Sequence, residues 1–98
     1  MTVVRHMIVQ GRVQGVGFRA FVEVEALKRG LEGWVRNRRD GSVEAVFAGE
    51  AAAVADMIKA ARQGPPGSRV TALHERDGSD EDVKLRAPGD VFSVLPTV

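Results

Sequence analysis

The sequence predicts an α+β fold in which an antiparallel sheet carries two helices on one face. Three observations predict it. Residues 18–29 and 50–62 repeat apolar side chains at helical spacing. Four stretches rich in β-branched and apolar residues surround those two segments. The clusters of glycine and proline fall between these stretches.

Residues 3–9 read as the first strand, and apolar residues at both parities place it centrally in the sheet. Gly11, Gly15 and Gly17 mark a loop, because glycine tolerates positive φ and close backbone approach. The segment 18–29 holds no Gly or Pro, and Phe18, Val22 and Ala26 recur at helical spacing. Val24 and Leu27 broaden that apolar surface, and Gly30 ends the helix. Residues 31–38 and 42–48 flank Arg39-Asp40-Gly41 and form a hairpin with an Asp-Gly turn. In its second strand Val43, Ala45 and Phe47 alternate with Glu44 and Val46. Over 50–62, Val54, Met57, Ile58 and Ala61 fall at i, i+3, i+4 and i+7 of the clearest helix. Gly64-Pro65-Pro66-Gly67 ends it. Residues 70–75 read as a fourth strand, 77–90 as an acidic exposed loop, and 91–95 as a short closing edge strand. The order strand, helix, strand, strand, helix, strand is that of a ferredoxin-like split βαβ sandwich (βαββαβ). One domain over residues 1–98 is expected.

Composition narrows the function classes. A chain of 98 residues buries about 65% of its unfolded surface, enough for one core. With no cysteine it has no disulfide, thiolate nucleophile or cysteine-bound metal. A net charge of +1 does not argue for nucleic acid. The basic residues are 11 Arg against 3 Lys, and Arg presents a planar fork suited to phosphate and carboxylate. Arg5 and His6 interrupt the N-terminus before any apolar run develops, and no stretch reaches membrane-spanning length. A cytoplasmic, monomeric protein without membrane association is the expectation.

Two segments carry chemistry. The first is Gly11-Arg12-Val13-Gln14-Gly15-Val16-Gly17-Phe18-Arg19, between a strand and a helix. A helix N-terminus offers unpaired N–H groups and partial positive charge, so a glycine-rich turn leading into it can cradle an anion. Arg19 adds charged donors at its mouth. There is no Gly-Lys-Ser/Thr, and Ala20 stands where a dinucleotide fingerprint needs glycine. On glycine spacing alone the segment fits a plain tight turn with a surface arginine equally well. The second is Gly33-Trp34-Val35-Arg36-Asn37-Arg38-Arg39-Asp40-Gly41-Ser42-Val43-Glu44. Asn37 interrupts a strand, where Asn is disfavoured. It either shapes the hairpin edge or holds a water with its donor and acceptor groups. Strand alternation puts Arg36 and Arg38 on the face opposite Asn37. Trp34 packs in or beside the core, and Asp40 serves the turn. His6 and His74, far apart in sequence, read as strand histidines and not as metal ligands.

Together these segments, in this order and separation, resemble the two signatures of the acylphosphatase family. Gly64-Pro65-Pro66-Gly67-Ser68-Arg69-Val70 resembles the stretch after that family's second helix. The resemblance implies a ferredoxin-like fold, hydrolysis of a small-molecule acyl phosphate to carboxylate and inorganic phosphate, and no cofactor or metal. By position in the signatures, Arg19 would bind the phosphate. The backbone amides of Gln14, Gly15, Val16, Gly17, Phe18 and Arg19 would form the cradle. Asn37 would orient the attacking water.

Such chemistry needs little equipment. The leaving carboxylate has a conjugate acid with a pKa of about 4, so it departs without a proton. A loose phosphoryl transition state asks for positioning and charge stabilisation. The rival reading is a non-catalytic anion- or ligand-binding regulatory module on the same fold. A single-stranded RNA binder would need stacking aromatics, and the chain has 4 Phe, 1 Trp and no Tyr.

Overall fold

A computed structural model describes residues 1–98. The elements run β1 (Thr2–Arg12), α1 (Phe18–Lys28), β2 (Glu32–Asn37), β3 (Val43–Glu50), α2 (Ala51–Gln63), β4 (Arg69–Asp77), α3 (Asp80–Val83) and β5 (Phe92–Val94). The sheet order is β4-β1-β3-β2-β5. β1 pairs antiparallel with β3 and β4, and β2 pairs antiparallel with β3. This is the expected ferredoxin-like arrangement, with one difference at the edge. β5 pairs parallel to β2, so the five-stranded sheet is mixed. The cause is the route of the chain. After β4 it crosses the sheet to the opposite edge and returns in the direction opposite to β4, which is the direction of β2.

The helices pack on one face. From α1 the buried residues are Phe18, Val22 and Ala26, and from α2 they are Val54, Met57, Ile58 and Ala61. They meet Met7, Val9, Val35, Val43, Ala45, Phe47 and Phe92 of the sheet in one cluster closed by Val13 and Leu31. Each such large side chain, once buried, stabilises by roughly 1.5–3 kcal/mol. Val24 and Leu27 do not broaden this surface as expected; both are about half exposed. On α1 the buried stripe is 18, 22 and 26, with Phe21 packed against the cluster beside it.

β1 is longer than its apolar run. A register shift at Gln10/Gly11 lets Gly11 and Arg12 pair with Val70 and Arg69 of β4. Gly11, at φ 121, brings its backbone against β4 where a Cβ would meet the Arg69 carbonyl.

The segment 77–90 is more than an exposed loop. It contains α3, with a capping box in which Ser79 N–H donates to the Asp82 carboxylate at 2.9 Å. It covers the sheet face opposite α1 and α2. The Trp34 indole N–H donates to the Asp82 carbonyl at 2.6 Å, and the Ala87 N–H donates to Ser93 Oγ at 2.9 Å. Trp34, 1% exposed, is thus buried outside the main core cluster.

Gly33 holds β2 between its neighbours. It pairs with Phe47 of β3 on one side and Phe92 of β5 on the other. With no side chain between them, the two rings stack with centroids 5.9 Å apart. Its φ is 140°, and a Cβ would run into the Val46 carbonyl. Gly33→Ala is therefore expected to lose at least ~2 kcal/mol of stability, combining backbone strain with a displaced β-pair. Urea unfolding checks this; a loss below ~0.5 kcal/mol would contradict the account.

Candidate active site

Between β1 and α1 the chain turns through Gly15 (φ 74) and Gly17 (φ 79), both in the left-handed region. A side chain at either position would cost about 1–2 kcal/mol in backbone strain. Gly17 is the N-cap of α1, so no side chain caps the helix, and its first turn carries no acidic residue. The first internal bond is Phe21 N–H to Gly17 O at 3.0 Å. Every backbone N–H from Gln14 to Ala20 is left without an acceptor in the chain. Val13 and Phe18, both buried, anchor the two ends of this turn in the core, and Val16 packs against it.

These donors border a pocket of about 310 Å³ lined by Val13, Gln14, Gly15, Gly17, Phe18, Arg19, Ala20, Glu23, Asn37 and Val94. The signature residues Gln14, Gly15, Gly17, Phe18, Arg19 and Asn37 thus share one cavity. Val16 is outside the lining, because its side chain turns to the core. Arg19 is half-buried and forms no ion pair, unlike Arg5, Arg29, Arg36 and Arg86. Glu23, one helical turn further, also has no partner within the chain.

Asn37 ends β2 on the same face as Val35, toward α1. Its backbone is held from both sides. It pairs with Val43 of β3, and its carbonyl accepts from Val98 N–H at 3.2 Å. Arg39 N–H in turn donates to the Val98 carbonyl at 2.8 Å, and Leu95 N–H to the Val35 carbonyl at 2.9 Å. Residues 95–98 therefore run beside β2 up to the site. In the hairpin turn, Asp40 accepts from Ser42 Oγ at 2.6 Å and from Ser42 N–H at 2.9 Å. These bonds hold the Asp40 carboxyl below the usual range. The loop and hairpin also touch directly. The Gln14 side chain donates from Nε2 to the Arg38 carbonyl at 2.7 Å and to the Ser42 carbonyl at 2.9 Å.

Behind Asn37, on the opposite sheet face as alternation requires, lies an ionic cluster. Glu44, 7% exposed, meets His6 Nε2 at 2.7 Å and Arg36 Nε at 2.8 Å, with Arg38 at 3.7 Å. The Arg36 guanidinium lies 4.6 Å from the Trp34 ring centroid. Arg36 is thus committed to Glu44 and Trp34 and is not a free surface charge. His74 lies beside His6 and Ile8 around a small pocket, but no three candidate metal ligands gather there or elsewhere.

Sequence reasoning missed three participants: Glu44, Glu23 and the side chain of Gln14. Glu44 read as the outward polar residue of an alternating strand. The basic residues at 36 and 38, opposite it in the hairpin, were the available signal.

Burial pushes the Glu44 carboxyl up, but the hydrogen bonds from His6 and Arg36 outweigh it and leave the carboxyl below its ordinary value. A depressed carboxyl adds stability above the unfolded-state pKa of about 4.3 and loses it as pH falls through the folded value. Glu44→Gln is expected to cost ~2 kcal/mol at pH 7. The difference from wild type should shrink below about pH 4. Urea unfolding from pH 7 to pH 3 measures both; a constant difference would refute the linkage.

Known proteins resemble the chain in sequence and in fold. A sequence profile described as Acylphosphatase matches residues 5–87. An acylphosphatase of Rhodopseudomonas palustris (strain BisB18) is 63% identical over 97 residues, covering 99% of this chain and 98% of that protein. The crystal structure of acylphosphatase from Bacillus subtilis superposes with a TM-score of 0.82 at 41% identity, covering 97% of this chain and 99% of that one. An acylphosphatase structure from Coxiella burnetii gives 0.83 at 31% identity, covering 96% and 93%. By sequence and by fold, the chain belongs to the acylphosphatase family, whose enzymes hydrolyse acyl phosphates to a carboxylate and inorganic phosphate.

Proposed function

We propose that this acylphosphatase holds the phosphoryl group of its substrate in the turn 14–19 and attacks it with a water held by Asn37. The observation that carries this reading is the unbroken row of backbone N–H groups without acceptors, beside an unpaired Arg19 and across one pocket from Asn37.

In this mechanism the amides and the Arg19 fork grip the equatorial phosphoryl oxygens, where charge accumulates in the transition state. Asn37 accepts a hydrogen bond from the water and orients its lone pair along the line of the scissile bond. The water oxygen bonds to phosphorus as the bond from phosphorus to the acyl oxygen breaks, and that electron pair leaves with the carboxylate. The water's proton passes to a phosphoryl oxygen. No general acid is required, because the leaving group is a weak base. Orientation of this kind recovers several kcal/mol of barrier.

The same reading extends to the protein's context: one domain over residues 1–98, acting without a cofactor, as a cytoplasmic monomer on small acyl phosphates, with no nucleic-acid or membrane partner. Supporting it are the near-full-length match to stand-alone acylphosphatases and the lack of any helix long and apolar enough to cross a membrane.

Hydrolysis of an aryl acyl phosphate with chelator present tests the mechanism. Asn37→Ala and Arg19→Ala should each lower kcat/KM by roughly 10²–10³-fold in folded protein. Arg19→Lys should also lose most activity, since an ammonium cannot grip two oxygens from a fixed fork. Near-normal turnover in Arg19→Lys would remove that role, and loss of wild-type activity on chelation would overturn the cofactor-free mechanism.

A further inference from the structure

Gln14 belongs to the turn through its backbone and to the hairpin through its side chain. Its half-buried carboxamide places both Nε2 protons, one on the Arg38 carbonyl at 2.7 Å and one on the Ser42 carbonyl at 2.9 Å. These carbonyls bracket the hairpin turn. Arg38 follows Asn37 directly, and Ser42 precedes Val43, the cross-strand partner of Asn37. The Ser42 carbonyl also accepts from Arg38 N–H at 2.9 Å, so the bond from Gln14 locks a closed ring of backbone. Asn37 itself forms no side-chain hydrogen bond within the chain, and its orientation depends on this backbone.

We infer that the Gln14 side chain is a positioning residue that sets the distance between the phosphate cradle and the water-holding Asn37. The inference rests on the site reading proposed above. α1 with its turn and the β2–β3 hairpin are separate pieces of chain, and in-line attack needs them in register to well under 1 Å. A misplacement of about 1 Å can cost about 10²-fold in rate. Packing through Val13 and Phe18 brings the two pieces together, but apolar contact is non-directional. The carboxamide supplies direction, since two N–H groups on one nitrogen can reach two carbonyls at a fixed angle. A carboxylate of the same size offers only acceptors and would repel both carbonyls. An apolar chain of the same length would leave both carbonyls without this donor.

Gln14→Met and Gln14→Glu test this, alone and combined with Asn37→Ala, in proteins whose thermal unfolding confirms the fold. The inference expects kcat to fall about 10–100-fold in both single variants. Competitive inhibition by inorganic phosphate should stay within about threefold of wild type, because the backbone cradle survives. In the Asn37→Ala background, adding Gln14→Met should cost less than about threefold more, because the residue acts through Asn37. A merely structural role would lower thermal stability and leave this split between kcat and phosphate affinity absent. Three results would overturn the inference: wild-type kcat in either single variant, phosphate affinity falling in step with kcat, or an equal loss in both backgrounds. An inactive Asn37→Ala beside a fully active Gln14→Met would sink this inference alone. A fully active Asn37→Ala would sink the site reading with it.

Discussion

The site depends on a turn that leaves its own hydrogen-bond donors unused. Backbone N–H groups of this chain mostly bond to carbonyls of the helices, strands and turns. From Gln14 to Ala20 none has an acceptor within the chain. Two left-handed glycines and an uncapped helix end produce this, and three apolar anchors at Val13, Val16 and Phe18 keep it from relaxing. A Ser or Asp at the N-cap would have taken one of these donors for its own side chain and placed a competing acceptor in the same space. Gly17 accepts the left-handed backbone without strain and, having no side chain, leaves the donors open.

Charge is handled in the same way. Most arginines in the chain lie against carboxylates: Arg5 with Glu75 and Asp77, Arg29 with Glu25 and Asp56, Arg86 with Glu32. In the pocket, Arg19 stands alone. A carboxylate paired with it would compete with any anion entering the pocket. Glu23 on the next turn adds a negative charge to the pocket wall without engaging the guanidinium.

The second half of the site is rigid for reasons on both faces of the sheet. On the helix face, Phe47 and Phe92 close over the gap at Gly33 and carry β5 into place. On the other, Glu44 gathers His6, Arg36 and Arg38 behind the strand that bears Asn37. The segment 80–90 shields Trp34 and thereby one end of that cluster from water. Low dielectric strengthens these bonds and makes leaving any one unmet costly, so the strand has little freedom to shift.

The local chemistry of the sequence determined the element order, the stripes 18–22–26 and 54–57–58–61, the hairpin turn at Asp40-Gly41 and the glycine turn before Arg19. Each follows from periodicity or from residues that tolerate particular backbone angles, and neither needs distant partners. What only the tertiary structure decided are the associations between distant segments. Glu44 looked like an outward strand residue until its neighbours across the sheet were in place. The acidic stretch 77–90 carried no apolar periodicity, yet it folds against Trp34 through a backbone carbonyl, which has no sequence signature. β5 runs parallel because of the path its chain takes over the sheet. The Gln14 side chain reaches two main-chain oxygens on a hairpin more than twenty residues away. Backbone acceptors are identical at every residue, so only folding determines which of them a side chain meets.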